Sequence, residues 1–170
     1  MFNFDFTSTS INQSPSKSGV FPVKITGIEG YTSKSGNARI RIRAAVSEGE
    51  CEGCTIVDGI NLPTEENSKV KGIWLRFFAS LGLTPSDVKE SFSKDYKNLD
   101  DAVKHISKVL MDLKGYCYYA PAVGEGTYPT KKWLTSAQAE GARESSSAGT
   151  AASGSTNAAS DALKDFINVR

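Results

Sequence analysis

Three arginines in strict alternation, Arg39-Ile40-Arg41-Ile42-Arg43, carry the clearest chemical signal in this chain. In an extended run every second side chain leaves the same face. The three guanidiniums then stand about 7 Å apart, at ~3.4 Å of rise per residue. That repeat is close to the phosphate spacing of a partly extended nucleic-acid strand. Arginine also suits the task, because its planar fork grips phosphate and stacks on bases. From Lys17 to Ala45 six basic residues (Lys17, Lys24, Lys34, Arg39, Arg41, Arg43) meet one acid, Glu29. The local surplus of +5 contrasts with a formal net charge of only +1 for all 170 residues. The ordinary alternative is a solvated strand face. Like charges in a row repel, however, unless cross-strand acids or a polyanion answer them.

Aromatic residues are interleaved with the basic ones. Tyr31 opens the basic hairpin, Tyr116 and Tyr118 share one parity of a second β-rich run, and Trp133 follows Lys131 and Lys132. Exposed rings beside a cationic groove can stack bases, each worth ~1–3 kcal/mol. If Leu134 points inward, Trp133 points outward beside Lys131. Trp74, Phe77 and Phe78 recur at helical spacing and read as core.

Other chemistries find less support. Cys51-Glu52-Gly53-Cys54 has the two-residue gap of a zinc turn, and only Cys117 and His105 remain to complete a site. Small buried or turn cysteines are the preferred reading, so no metal is expected. With one histidine, a Ser–His or Cys–His site would rest on His105 alone. There is no P-loop and no GxGxxG, so no cofactor is expected. Asp58, Glu65 and Glu66 could serve a Mg²⁺-dependent nuclease, but nothing fixes them together. A non-enzyme is expected.

The elements that must position these residues follow from periodicity. The expected fold is mainly β: a five-stranded barrel with helices between strands 3 and 4 and a disordered C-terminal tail. Residues 1–18 form an N-terminal arm in which Phe2, Phe4 and Phe6 alternate with polar residues. Residues 19–135 form the domain. Phe21, Val23 and Ile25 alternate in a first strand, Ala38–Val46 is a second, and a third lies around Cys54–Leu62. Helical spacing then takes over in Val70–Leu81, stopped by Gly82, and in a helix of about Leu99–Leu113 capped by Asn98 or Asp100. Tyr116–Ala120 and Lys131–Thr135 close a hairpin around a glycine-rich loop. Three strands, a helical insert and two strands is the order of an OB-fold. Residues 136–159, dominated by Ala, Ser, Gly, Thr and Asn, read as a flexible linker. Residues 160–170 end in Leu163, Phe166 and Ile167, an apolar stripe at helical spacing that could dock a partner.

The three cysteines argue against a disulfide framework and for reduced thiols inside a cell. No secretory signal and no membrane span are expected, which points to the cytoplasm.

The turn Ser33-Lys34-Ser35-Gly36-Asn37 leads into Ala38–Val46, the hairpin Glu48–Gly53 follows, and a helix ends in the leucine-glycine step of Arg76–Leu83. In these motifs residues 19–135 resemble the OB-fold single-stranded DNA-binding proteins encoded by bacteriophages. The resemblance implies sequence-tolerant coating of single strands in phage replication or recombination, in the host cytoplasm. It also implies replication or recombination proteins as partners, and self-association is possible. The tail departs from the acidic tip of many single-strand binders: residues 140–170 carry three basic and four acidic side chains. The competing expectation is an accessory module that docks through Leu163, Phe166 and Ile167 without touching nucleic acid.

Overall fold

The computed structural model describes residues 13–64, 67–92 and 94–151. It is built on five antiparallel strands: β1 (Gly19–Thr32), β2 (Ala38–Val46), β3 (Thr55–Asn61), β4 (Lys114–Ala120) and β5 (Thr130–Leu134). Their order in the sheet is β3-β2-β1-β4-β5. The sheet curls into a half-barrel with β3 and β5 as its outer strands. Helices α1 (Ser68–Ser80), α2 (Pro85–Phe92) and α3 (Leu99–Leu110) fall between β3 and β4, and α4 (Ser136–Ala151) follows β5.

Alternation in β2 does what its sequence demands. Ile40, Ile42, Ala44 and Val46 are buried, while Arg39, Arg41 and Arg43 point to the other face. The inner face continues into Ile25 and Val23 of β1, Ile56 of β3 and Cys117 of β4, all at most 1% exposed. β1 keeps both its neighbours by a register shift between Ile25 and Gly27. Such a bulge bends the strand and lets a long β1 serve two parts of a curved sheet.

The helices close the concave side. α1 turns Val70, Trp74, Phe77 and Phe78 inward, as its spacing predicts. α3 starts at Asn98, whose side chain accepts from the Asp101 N–H at 2.9 Å, and buries Ala102, Ile106 and Leu110. It presses so closely on β1 that a Cβ at Gly30 would lie 2.6 Å from Val103. α2 has no counterpart among the elements that periodicity predicts. It is capped by Thr84 and Asp87, whose side chains each bond the other's backbone N–H. None of its residues is buried, and so it leaves no strong apolar period to read.

The linker expected over 136–159 begins instead as helix. α4 is capped by a reciprocal pair, Thr135 N–H to Gln138 Oε1 at 3.0 Å and Gln138 N–H to Thr135 Oγ1 at 3.3 Å. It buries Ala139 and Ala142 against β4, β5 and β1. Alanine is the strongest helix former, and it packs where larger side chains would not fit. Residues 1–12 and 152–170 lie outside the described part, including Leu163, Phe166 and Ile167. Among the described residues no helix is long and apolar enough to cross a membrane.

Candidate functional site

Cross-strand register assembles the site. On the outer face Tyr31 lies opposite Arg39, Glu29 opposite Arg41, and Gly27 opposite Arg43. β3 supplies the facing row, with Asn61, Gly59 and Val57 opposite the same three arginines. The guanidiniums therefore line up along one outward surface, as the alternation predicts.

They are not, however, wholly free. Arg39 donates through Nη2 to the Gly59 carbonyl at 2.8 Å. Arg41 and Arg43 share one oxygen of Glu29, at 3.6 and 3.4 Å. All three stay half-buried, with the Arg41 and Arg43 side chains 41% and 36% exposed. The Nε–H groups of Arg39 and Arg43 are covered and have no acceptor. The Tyr31 ring is built into the row, with Arg41 4.7 Å and Arg39 5.8 Å from its centroid. Cation–π contact of this kind holds both ring and guanidinium against the sheet. Gly59 makes the arrangement possible. A Cβ there would lie 2.8 Å from the Tyr31 hydroxyl and 3.3 Å from Arg39 Nη2.

Two loops carry further exposed side chains. Lys34 stands exposed on the β1–β2 turn, which is closed by Ser33 N–H to the Asn37 carbonyl at 2.9 Å. The β4–β5 loop presents Val123, 98% exposed, and Tyr128, 89% exposed. Its turn is fixed by Thr127 Oγ1, which accepts from Gly124 N–H at 3.1 Å. An open aromatic ring on a hydrogen-bonded turn has the chemistry of a stacking surface. Tyr128 belongs to no alternating run, so periodicity gives no signal for it. In the sequence Glu29 figures only as one acid among six bases, and Asp58 only as a nuclease candidate with nothing to fix it.

Asp58 turns out to organise the seam between the two outer strands. It accepts from Trp133 Nε1 at 2.8 Å, and Lys131 Nζ lies 3.7 Å away. Lys131 also donates to the Val57 carbonyl at 2.7 Å. Side chains of β5 thus reach β3 directly. This corrects the outward placement of Trp133. Register pairs Trp133 with Cys117 and Leu134 with Tyr116, so Trp133 shares the inner face and packs edge-on against Phe77 at 4.8 Å. Leu134 is buried too, but under α4 on the outer face. Burial alone could not tell those two faces apart.

The remaining expected residues divide. Tyr116 and Tyr118 do lie on the outer face, half-buried, with Lys132 opposite Tyr118. α4 spreads over this part, and Arg143 sits 5.1 Å from the Tyr116 ring. Lys24 is outward beyond the bulge and pairs with Asp112 at 3.4 Å. The fold therefore brings together Tyr31, Arg39, Arg41 and Arg43, with Lys34 at one border. It leaves Lys24, Tyr116, Tyr118, Lys132 and Trp133 outside that group, and gives Lys131 to the seam.

The four weak metal candidates are not brought together: no group of three or more His, Cys, Asp or Glu among the described residues could hold an ion. Cys51 and Cys54 flank the β2–β3 turn, and burial with the neighbouring Cys51 raises the Cys54 thiol above its ordinary pKa. Cys117 lies in the core, where burial pushes its thiol up to about 12. His105 contacts the Ser91 carbonyl and the rings of Phe92 and Tyr96. No protein-family model matches the sequence, and no curated protein matches it.

Proposed function

We propose that this chain is a non-enzymatic, sequence-tolerant single-stranded DNA-binding protein on an OB-type barrel. One observation carries the reading. Three part-exposed guanidiniums and a tyrosine ring share one sheet face, where among the described residues a single carboxylate opposes them. Phosphates would be neutralised by Arg39, Arg41, Arg43 and Lys34, while Tyr31 and Tyr128 offer rings to unstacked bases. The β2–β3 surface and the loops β1–β2 and β4–β5 are the parts of an OB-fold that hold oligonucleotides. The motif resemblance to phage single-strand binders points the same way, toward coating of strands in replication or recombination.

The test is a titration of labelled oligo-dT by fluorescence anisotropy at two salt concentrations. Wild-type affinity should fall steeply with salt, because counterion release drives binding. The Arg39/Arg41/Arg43→Ala variant should keep its fold and lose at least about a hundredfold in affinity, at ~1 kcal/mol or more per lost phosphate contact. Undiminished binding by a folded triple variant would remove the proposal. A docking module working through Leu163, Phe166 and Ile167 predicts the converse: deletion of residues 152–170 abolishes function while strand binding never occurs.

A further inference from the structure

Glu29 holds a position that its charge alone does not explain. It projects from β1 into the arginine row, opposite Arg41. Its Oε2 atom lies within 3.4–3.6 Å of both Arg43 and Arg41. Gly27 next to it has no side chain, so Arg43 can lie across β1; a Cβ at Gly27 would meet Arg43 Cδ at 3.4 Å. Among the outward positions of β1 from Gly27, of β2 and of β3, Glu29 is the only carboxylate. Glu29 thus puts an oxyanion where the proposed function puts a phosphate.

We infer that Glu29 is an internal stand-in for phosphate, occupying Arg41 and Arg43 in the free protein and displaced by the strand. The inference rests on the single-strand reading and identifies what limits affinity at that site. A guanidinium uses the same donors for carboxylate and for phosphate. Without Glu29 the row would repel itself in the free state. With it, the row is held flat, and Arg41 stays over Tyr31. The contacts are partly exposed, the Glu29 side chain at 51%, and such pairs are weak enough to exchange. A polymer brings several phosphates and releases many counterions, so it can displace the carboxylate. A lone small anion has no such surplus. Glu29 therefore trades tight binding for selectivity toward a polyanion and for faster release. A purely supporting role has the opposite sign: if Glu29 only positions the arginines, its loss weakens binding.

The experiment uses the full chain and labelled oligo-dT. Glu29→Gln keeps the shape and one acceptor oxygen while removing the charge. Its affinity should rise about fivefold at low salt, the scale of breaking exposed ion pairs. The gain should shrink toward none at high salt, where charges are screened. The gain should also vanish in an Arg41→Ala/Arg43→Ala background, where nothing remains to compete for. Weaker or unchanged binding by Glu29→Gln at an unaltered melting temperature overturns the role of Glu29 and leaves the function standing. A gain of equal size in the double-alanine background also overturns it, since the effect would then be net charge alone. If wild type does not bind oligo-dT at any salt, the functional reading falls first and this inference with it.

Discussion

The outer surface of the sheet has two halves written in the same alphabet. One half, on β2, β3 and the end of β1, alternates Arg with Ile. The other, on β4, β5 and the start of β1, alternates Tyr with Cys and Lys with Trp. The first half keeps its arginines part-exposed beside its own Glu29. The second is covered by α4, which lays Ala139, Ala142 and Arg143 over Leu134 and Tyr116. The difference shows that a polar-aromatic strand face is available to a ligand only if no later element packs on it. A row of three arginines excludes such a cover, since burying unpaired charge costs far more than two alanines return. Two tyrosines and a leucine invite one.

Breaking the link between the halves should have the largest effect. Asp58→Ala leaves Trp133 Nε1–H and Lys131 Nζ without their carboxylate, and should cost about 2 kcal/mol of stability in a urea titration. Oligonucleotide affinity should fall far less, because Asp58 bonds none of the three arginines and reaches the row only through the Gly59 N–H it accepts from at 2.9 Å. The contrast between halves is sharpened next by matched substitutions. Tyr31→Ala should lose roughly tenfold in oligo-dT affinity, the scale of one stacked base. Tyr116→Ala should lose none; a comparable loss there would place the covered half on the strand's path as well.

Smaller effects test the cover itself. Ala142→Asp should lift α4 at a cost of about 1–2 kcal/mol, the scale of two buried methyl groups. Acrylamide should then quench tyrosine fluorescence more strongly, with oligonucleotide affinity unchanged. A stable variant with unaltered quenching would mean that α4 does not hold the cover in solution. The smallest effect concerns an exposed cap remote from both halves. Bonds from the Thr84 hydroxyl and N–H hold the Asp87 carboxyl below its ordinary pKa. A lowered folded pKa stabilises above the unfolded value and is lost as pH falls through the folded one. After correction for intrinsic exchange, which itself slows in acid, protection of the α2 amides should therefore fall only in acid, with no change near neutrality.

Within the sequence, Ile40 and Ile42 alternating with arginines already specified β2, its buried face and its charged face. Period two leaves a strand no other way to hide its isoleucines. Val70, Trp74, Phe77 and Phe78 likewise specified which side of α1 is core. These are local constraints, each settled within one element. Trp133 and Leu134 were different, because both become buried, on opposite faces, and parity alone cannot say which side acquires a second layer. Only the docking of α4 on one side and α1 on the other decided it. The partners of the arginines were equally out of reach. Glu29 and Gly59 meet them through register, which depends on a bulge between Ile25 and Gly27 and on turn lengths. The chain by itself thus determined the elements and the placement of charge along them. Tertiary structure decided which charged face stays uncovered and what occupies it, because contact between distant residues is set by how strands align and not by their spacing in sequence.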